Sequence, residues 1–135
     1  MSTLQVNVVT PKGPITQVET DAVTAPGELG EFEVLPGHIP FLTALHPGVL
    51  TLGENDRSIY AVGPGFVRVS PDGEVEVLVE MCVPADEVDV DEARTEYDDA
   101  TRELDGWNKD PTAEHKNLLA RQAWAKARLD AQSLH

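Results

Sequence analysis

Residues 30–50 have the sequence GEFEVLPGHIPFLTALHPGVL, in which short apolar runs are separated by proline and glycine. The two Pro-Gly pairs in this run mark tight turns between strands. Between the turns, we expect Phe41, Leu42 and Leu45 to fill a hydrophobic core. Strands joined by turns this short need no crossover helices, so the run predicts an antiparallel sheet.

The same alternation of strand and turn extends over residues 1–84. Nine of the ten glycines and nine of the ten prolines precede residue 85, and both residue types favour turns. Leu4, Val6 and Val8 alternate with other residues, which is the period of a strand with one buried face. Residues 1–84 are therefore predicted to form an antiparallel β-sandwich.

Residues 85–135 have a helical pattern instead. Asp89, with Glu92 three residues later, predicts a capped first helix. Its apolar seam has spacings of three and four: Val90, Ala93, Tyr97, Ala100, Leu104 and Trp107. Asp110-Pro111 predicts the cap and first turn of a second helix, with this apolar face: Ala113, Ala120, Trp124, Ala127, Ala131 and Leu134. The short loop between the helices predicts an antiparallel hairpin, which makes the whole chain α+β.

Charge distribution indicates that this hairpin is loosely held. Residues 86–105 contain ten acids and two bases, a net charge of −8, whereas residues 112–135 contain two acids and four bases, a net charge of +2. Exposed ion pairs contribute only about 0–1 kcal/mol each, and alanine methyl groups bury little area. We therefore expect a hairpin that can detach from the sandwich and rebind elsewhere.

Composition excludes several classes of function. A net charge of −14 argues against binding of nucleic acid or of an anionic membrane. No run of about 18 apolar residues predicts a membrane span, and the first residues lack the pattern of a signal peptide. A soluble protein of the cytosol, a reducing compartment, is expected, because the chain has a single cysteine, Cys82.

Chemical motifs are sparse. The four histidines lack the spacing of a zinc site, and Cys82 has no histidine nearby in sequence, so a buried structural thiol is predicted there. Neither a phosphate-binding loop nor a GxSxG nucleophile motif occurs. The residues alone thus give little support for an enzyme or for a metal site.

Residues 30–48 follow the pattern GEF-x-VLPGH-x-P-x-L-x-AL-x-PG, inside a sandwich that precedes an acidic and then a basic helix. This arrangement resembles the epsilon subunit of F-type ATP synthases, which is called delta in mitochondria. The resemblance implies a non-catalytic central-stalk subunit at the cytoplasmic face of the bacterial inner membrane. Its sandwich would bind the gamma subunit near His38 and the c-ring near Glu31, although Glu28 belongs to a competing Gly-Glu pair.

The resemblance also implies regulation by the helices, which in this family can extend toward the alpha and beta subunits and block ATP hydrolysis. Four bases of the second helix would meet an acidic loop there: Lys116, Arg121, Lys126 and Arg128. Some members bind ATP as a regulatory ligand through an I/L-D-x-x-R-A motif. Here Asp91 and Arg94 match that motif, while Val90 and Thr95 depart from it. An intrahelical or interhelical ion pair for Asp91 and Arg94 is the alternative interpretation.

A different class of function also fits the composition. A small β-barrel enzyme or ligand-binding module, with the helices serving as a dimerisation arm, would have the same division at residue 84. The two hypotheses differ in their partners: gamma, the c-ring and the catalytic head for the first, and a second copy of the chain for the other.

Overall fold

The computed structural model describes residues 3–135, in which ten strands precede two helices. The strands are β1 Leu4–Thr10, β2 Gly13–Thr20, β3 Val23–Gly27, β4 Gly30–Val34, β5 Phe41–Leu45, β6 Gly48–Leu52, β7 Ser58–Val62, β8 Gly65–Val69, β9 Glu74–Val79 and β10 Cys82–Pro84. A short 3-10 helix, Ala85–Glu87, leads to α1 Val90–Asp105 and α2 Ala113–Leu134. The predicted fold class, a β-sandwich followed by a helical hairpin, is confirmed.

The strands form one sheet in the order β10-β7-β6-β3-β5-β8-β9-β1-β2, and β4 pairs with β3. All pairs are antiparallel except β1 with β9, which are parallel and in register from Gln5 opposite Glu74 to Val9 opposite Leu78. The prediction of a purely antiparallel sheet was wrong at this pair. Strands so distant in the sequence are not bound by the geometry of a short turn, and can pair in either direction.

The core is built from alternate residues of the strands, as the period-2 pattern predicts. Fifteen buried residues form one cluster, among them Leu4, Val6 and Val8 of β1. In β5, Leu45 is buried and Phe41 is half-buried, but Leu42 is 66% exposed. Leu42 was therefore wrongly predicted as a core residue. Successive side chains of a strand point to opposite faces of the sheet, so Leu42, next to the inward-facing Phe41, points to solvent.

Helix α1 begins as the sequence predicts. The Asp89 side chain accepts a hydrogen bond from the Glu92 backbone N–H at 3.1 Å, which satisfies a donor that has no partner inside the helix. Ala93 and Ala100 of the predicted seam are buried. The helix ends at Asp105, and Gly106 follows it.

Helix α2 begins later than predicted and buries two stripes. Its cap residue is Thr112, in extended conformation, rather than Asp110, so that Pro111 precedes the helix instead of opening it. Of the predicted apolar face, Ala113, Ala120 and Leu134 are exposed. Trp124, Ala127 and Ala131 are covered as predicted, whereas Leu118 and Ala125 are buried on another side. A single apolar stripe does not describe α2, because the helix packs on the sheet with one side and on α1 with another.

Helix α2 lies between the sheet and α1. It packs on β6, β7 and the 3-10 helix, while α1 packs mainly on α2. On the sheet side, Ala131 joins Ala61 and Ala85 in a small buried cluster against which Trp124 packs. On the other side, Gln122 donates a hydrogen bond to Thr101 of α1 at 2.9 Å. The buried centre of the contact with the sheet thus consists of alanine methyl groups, and Val49, Ile59 and Trp124 pack around it.

Candidate functional site

An apolar row crosses four neighbouring strands on the solvent side of the sheet. Ala44 of β5 lies opposite Phe66 of β8, Phe66 opposite Leu78 of β9, and Leu78 beside Val9 of β1. Phe66 is 54% exposed and Leu78 is 46% exposed. We call these four residues the apolar row. Polar side chains are usual at the water-facing positions of a sheet, so a continuous row of apolar ones is a candidate contact surface.

The next row along the same strands is mixed in character. Arg68 of β8 lies opposite Glu76 of β9 and forms an ion pair with it, and Leu42 lies on the other side of Arg68. Beside the apolar row, a groove of about 590 Å³ is lined by Pro11, Pro64 and Gly65 together with the row itself. The surface therefore has an apolar centre with charged groups at its margin, which is typical of a protein interface.

The acids of the β3–β4 hairpin lie on the opposite side of β4 from His38. Glu31, on β4 opposite Pro26, is exposed and lines a polar cleft with Glu33. Glu28 lies in the turn before β4, where its N–H donates to the Ala44 carbonyl at 3.1 Å. Both acids are accessible, so the structure leaves Glu28 and Glu31 as equal candidates for a contact at this end of the sandwich.

His38 occupies the loop between β4 and β5. Its Nδ1 lies 2.8 Å from the Ile39 carbonyl oxygen, and its ring centroid is 5.0 Å from that of Phe41. With Ile39 and Phe32 these rings line an apolar groove of about 280 Å³. His38 is thus part of an exposed aromatic surface and shares no cavity with Glu31.

The four predicted regulatory bases do not share one face of α2. At about 100° per residue, Arg121 and Arg128 lie on one side of the helix, and Lys116 and Lys126 point elsewhere. Lys126 donates a hydrogen bond to Asp130 at 2.8 Å, and this bond raises the pKa of the Lys126 ammonium group. Lys116 and Arg121 are exposed, whereas Arg128 is covered and paired with Glu96 of α1.

The candidate nucleotide ligands lie at the start of α1. Asp91 and Arg94 are three residues apart in the first turns of the helix, and both are exposed. Of the four ion pairs among the described residues, none includes Asp91 or Arg94. The ion pair that was the alternative interpretation is therefore absent from residues 3–135, and both side chains are available to a ligand.

Two further kinds of feature, metal-binding clusters and membrane-spanning helices, are absent from the described part of the chain. Residues 3–135 contain no group of three or more histidine, cysteine, aspartate or glutamate side chains arranged to hold a metal ion. Neither α1 nor α2 is long and apolar enough to cross a bilayer.

Cys82 is expected to react slowly with alkylating agents. Burial raises the pKa of its thiol from 9.0 to about 11, and only the thiolate is nucleophilic. Alkylation by iodoacetamide at pH 8 should be roughly 100-fold slower than for an unburied thiol, and should accelerate with each step in pH toward 11. The urea-unfolded chain is the control, because it should react at the ordinary rate. Equal rates for folded and unfolded protein would contradict the prediction.

Sequence reasoning missed the apolar row, although a signal for it was present. Phe66 next to Val67, and Leu78 between Val77 and Val79, break the alternation of a half-buried strand. Consecutive apolar residues in a strand indicate that both of its faces are covered. The ion pair of Arg128 with Glu96 was also missed, because the opposite charges of the two helices indicate attraction between them but not which residues pair.

The architecture defines a class of protein: a small β-sandwich with an apolar row on its solvent side, followed by a packed helical hairpin. Residues 3–85 match the family model for the ATP synthase delta/epsilon chain, β-sandwich domain. The chain belongs to this family.

Individual relatives agree with the family model. The chain is 45% identical over 102 residues to the ATP synthase epsilon chain of Anaeromyxobacter sp. strain K, covering 75% of this chain and 76% of that one. It is 36% identical over 137 residues to the epsilon chain of Laribacter hongkongensis, covering 99% and 94%. Because the second match spans nearly both chains, it includes the hairpin as well as the sandwich.

Solved structures show the same fold. A chain of the Euglena gracilis mitochondrial ATP synthase OSCP/F1/c-ring structure superposes with a TM-score of 0.83 at 22% identity, covering 100% of this chain and 83% of that one. A chain of the Tetrahymena thermophila mitochondrial central stalk/c-ring structure gives a TM-score of 0.68 at 18% identity, covering 96% of each.

Proposed function

We propose that this chain is a non-catalytic central-stalk subunit of a bacterial F-type ATP synthase, at the cytoplasmic face of the inner membrane. In this role it couples rotation of the c-ring to ATP synthesis and restrains ATP hydrolysis. The relatives named ATP synthase epsilon chain support the proposal, as do the two stalk and c-ring assemblies of similar fold. The observation that carries it is the apolar row, because such a surface suits a lasting protein partner.

The sandwich docks on the gamma subunit through the apolar row. Phe66 and Leu78 are each about half exposed, so covering them removes apolar area from water, at a gain of roughly 25 cal/mol per Å². The charged Arg68–Glu76 pair forms part of the rim of this contact. The row lies on β5, β8, β9 and β1, whereas α2 covers β6 and β7. Gamma and the hairpin can therefore occupy the sandwich at the same time.

The β3–β4 hairpin contacts the polar loops of the c-ring. Leu29 at the tip of its turn is fully exposed, with Glu28 and Glu31 on either side. An apolar tip flanked by carboxylates suits a loop that carries basic and polar groups. His38 adds an exposed aromatic contact to gamma on the other side of β4.

Residues 85–135 regulate the enzyme by changing position. In the packed state, the buried centre of the contact between α2 and the sheet consists of three alanines, Ala61, Ala85 and Ala131, with Trp124 packed against them. Contacts of such small area are readily exchanged for contacts with another surface. The detached bases of α2 then meet an acidic loop of the alpha and beta subunits, while exposed Asp91 and Arg94 remain candidate ligands for regulatory ATP.

Removal of residues 88–135 tests this regulation. We expect ATP hydrolysis by the assembled enzyme to rise several-fold, because the inhibitory helices are gone, while proton pumping per ATP is preserved. Hydrolysis and pumping are measured on the same membrane preparation. As a control, the truncated chain should bind gamma as tightly as the full chain does, since the apolar row lies away from α2. Unchanged hydrolysis with normal assembly would show that the hairpin is not inhibitory.

A further inference from the structure

Arg128 is a charged residue buried where three elements meet. Its side chain is only 10% exposed, and it forms an ion pair with Glu96 of α1, whose side chain is 35% exposed. Its Nε also donates to the Trp124 carbonyl at 3.4 Å, and its guanidinium carbon lies 5.3 Å from the centroid of the Trp124 ring. A buried guanidinium is stable only while such partners remain in place.

The partners of Arg128 belong to two different interfaces. Glu96 lies on α1, so its contact is part of the interface between the two helices. Trp124 packs against the buried cluster of Ala61, Ala85 and Ala131, of which Ala61 belongs to β7, so its contact is part of the interface between α2 and the sheet. Helix geometry explains this position. At about 100° per residue, Arg128 lies at the boundary between the sheet-facing stripe and the α1-facing stripe of α2.

We propose that Arg128 is a latch that couples the two interfaces of α2, so that opening of either one favours opening of the other. Loss of Glu96 leaves the Arg128 guanidinium without its counter-ion, which weakens the packing of the guanidinium on the Trp124 ring. Loss of the Trp124 contact with the sheet lets water reach the Arg128–Glu96 pair and weakens it in turn. The packed state also keeps Arg128 covered, so that this base becomes available only on opening.

Arginine is required at this position because the two contacts need different properties. The planar guanidinium can stack on an indole ring and bind a carboxylate at the same time, whereas an ammonium group acts as a point charge. Arg128→Lys should therefore keep an attraction to Glu96 but lose the stacking on Trp124. This variant changes little volume and preserves the charge, which makes it a second test alongside Glu96→Gln.

Two thiol probes report the interfaces separately in the full chain with Cys82→Ser. Thr101→Cys lies between α1 and α2, where Thr101 accepts the Gln122 hydrogen bond, and Ile59→Cys lies under α2 on the sheet. The labelling rate of each probe by a thiol reagent measures how often its interface opens. Circular dichroism verifies that every variant remains folded.

The latch predicts that Glu96→Gln and Arg128→Lys raise the labelling rate roughly tenfold at both probes. Two controls define specificity. Asp99→Asn breaks an exposed pair with Arg102 on the same helix and should leave both rates within about twofold. Leu118→Ala loosens the α1 side of α2 without touching Arg128, and should raise the rate only at the Thr101 probe.

A rise confined to the Thr101 probe in Glu96→Gln would overturn the latch, and so would an equal rise at both probes in Leu118→Ala. Labelling is measured on the isolated chain, while regulation of hydrolysis is measured on the assembled enzyme. Only the availability of Arg128 to another subunit rests on the proposed function, so failure of the latch and failure of that function give different results.

Discussion

Gly65→Ala is expected to destabilise the sandwich by about 3 kcal/mol, because the first residue of β8 has no room for a side chain. A Cβ atom there would lie 1.9 Å from the Leu78 carbonyl oxygen and 2.8 Å from the Val79 Cα, and both are backbone atoms of the paired strand. Domains of this size have a free energy of unfolding of about 5–15 kcal/mol, so the loss is large. Urea denaturation should show a lower midpoint with an unchanged slope.

Gly106→Ala is the matched control for this substitution. Gly106 follows α1 with a φ of −87°, which any residue adopts, and a Cβ there would lie 3.7 Å from its nearest neighbour, the Arg102 carbonyl oxygen. The change in unfolding free energy should stay within about 0.5 kcal/mol. Equal destabilisation by both substitutions would mean that steric conflict with β9 is not the cause.

The fold was predictable because its strands and helices are encoded in local patterns. Alternation at Leu4, Val6 and Val8 gives a strand whose inward residues are all buried, and the spacing of three and four from Val90 gives a helix in which Ala93 and Ala100 are buried. Asp89 caps that helix as predicted. Each of these features depends on residues within a few positions of one another, so the sequence contains the information directly.

The errors have one physical origin, which is that a local pattern cannot identify a distant neighbour. Leu42 has the hydrophobicity of a core residue but faces outward in β5. Leu118 and Ala125 are buried because α1 covers a second stripe of α2. The parallel pairing of β1 with β9 likewise depends on strands about 70 residues apart. These features arise only when the elements pack.

The candidate site shows the same limit. The motif at residues 30–48 indicated the family through its resemblance, yet only Ala44 of the apolar row lies inside it. The other three members lie on three other strands, and only the pairing register of the sheet places them side by side. The motif thus pointed to the protein's class, while the surface that we propose for docking had to be found in three dimensions.

Replacing both exposed members of the row, Phe66→Ser with Leu78→Ser, should weaken binding to gamma by roughly 100-fold. Each large apolar side chain at the centre of an interface contributes on the order of 1–2 kcal/mol, and tenfold in affinity corresponds to about 1.4 kcal/mol. Because both side chains are about half exposed in the free chain, the sandwich itself should unfold at nearly the same urea concentration. Affinity is measured by surface plasmon resonance against a gamma-containing complex that lacks this subunit.

The matched control removes two exposed leucines elsewhere, Leu119→Ser with Leu134→Ser on α2. It deletes a comparable apolar area from a surface that lies away from the row, so binding should change by no more than about twofold. Equal losses in the two double variants would show that general surface hydrophobicity, and not the row, holds the partner. If the unmodified chain instead self-associates through its helices and does not bind gamma, the ligand-binding module with a helical dimerisation arm becomes the better account.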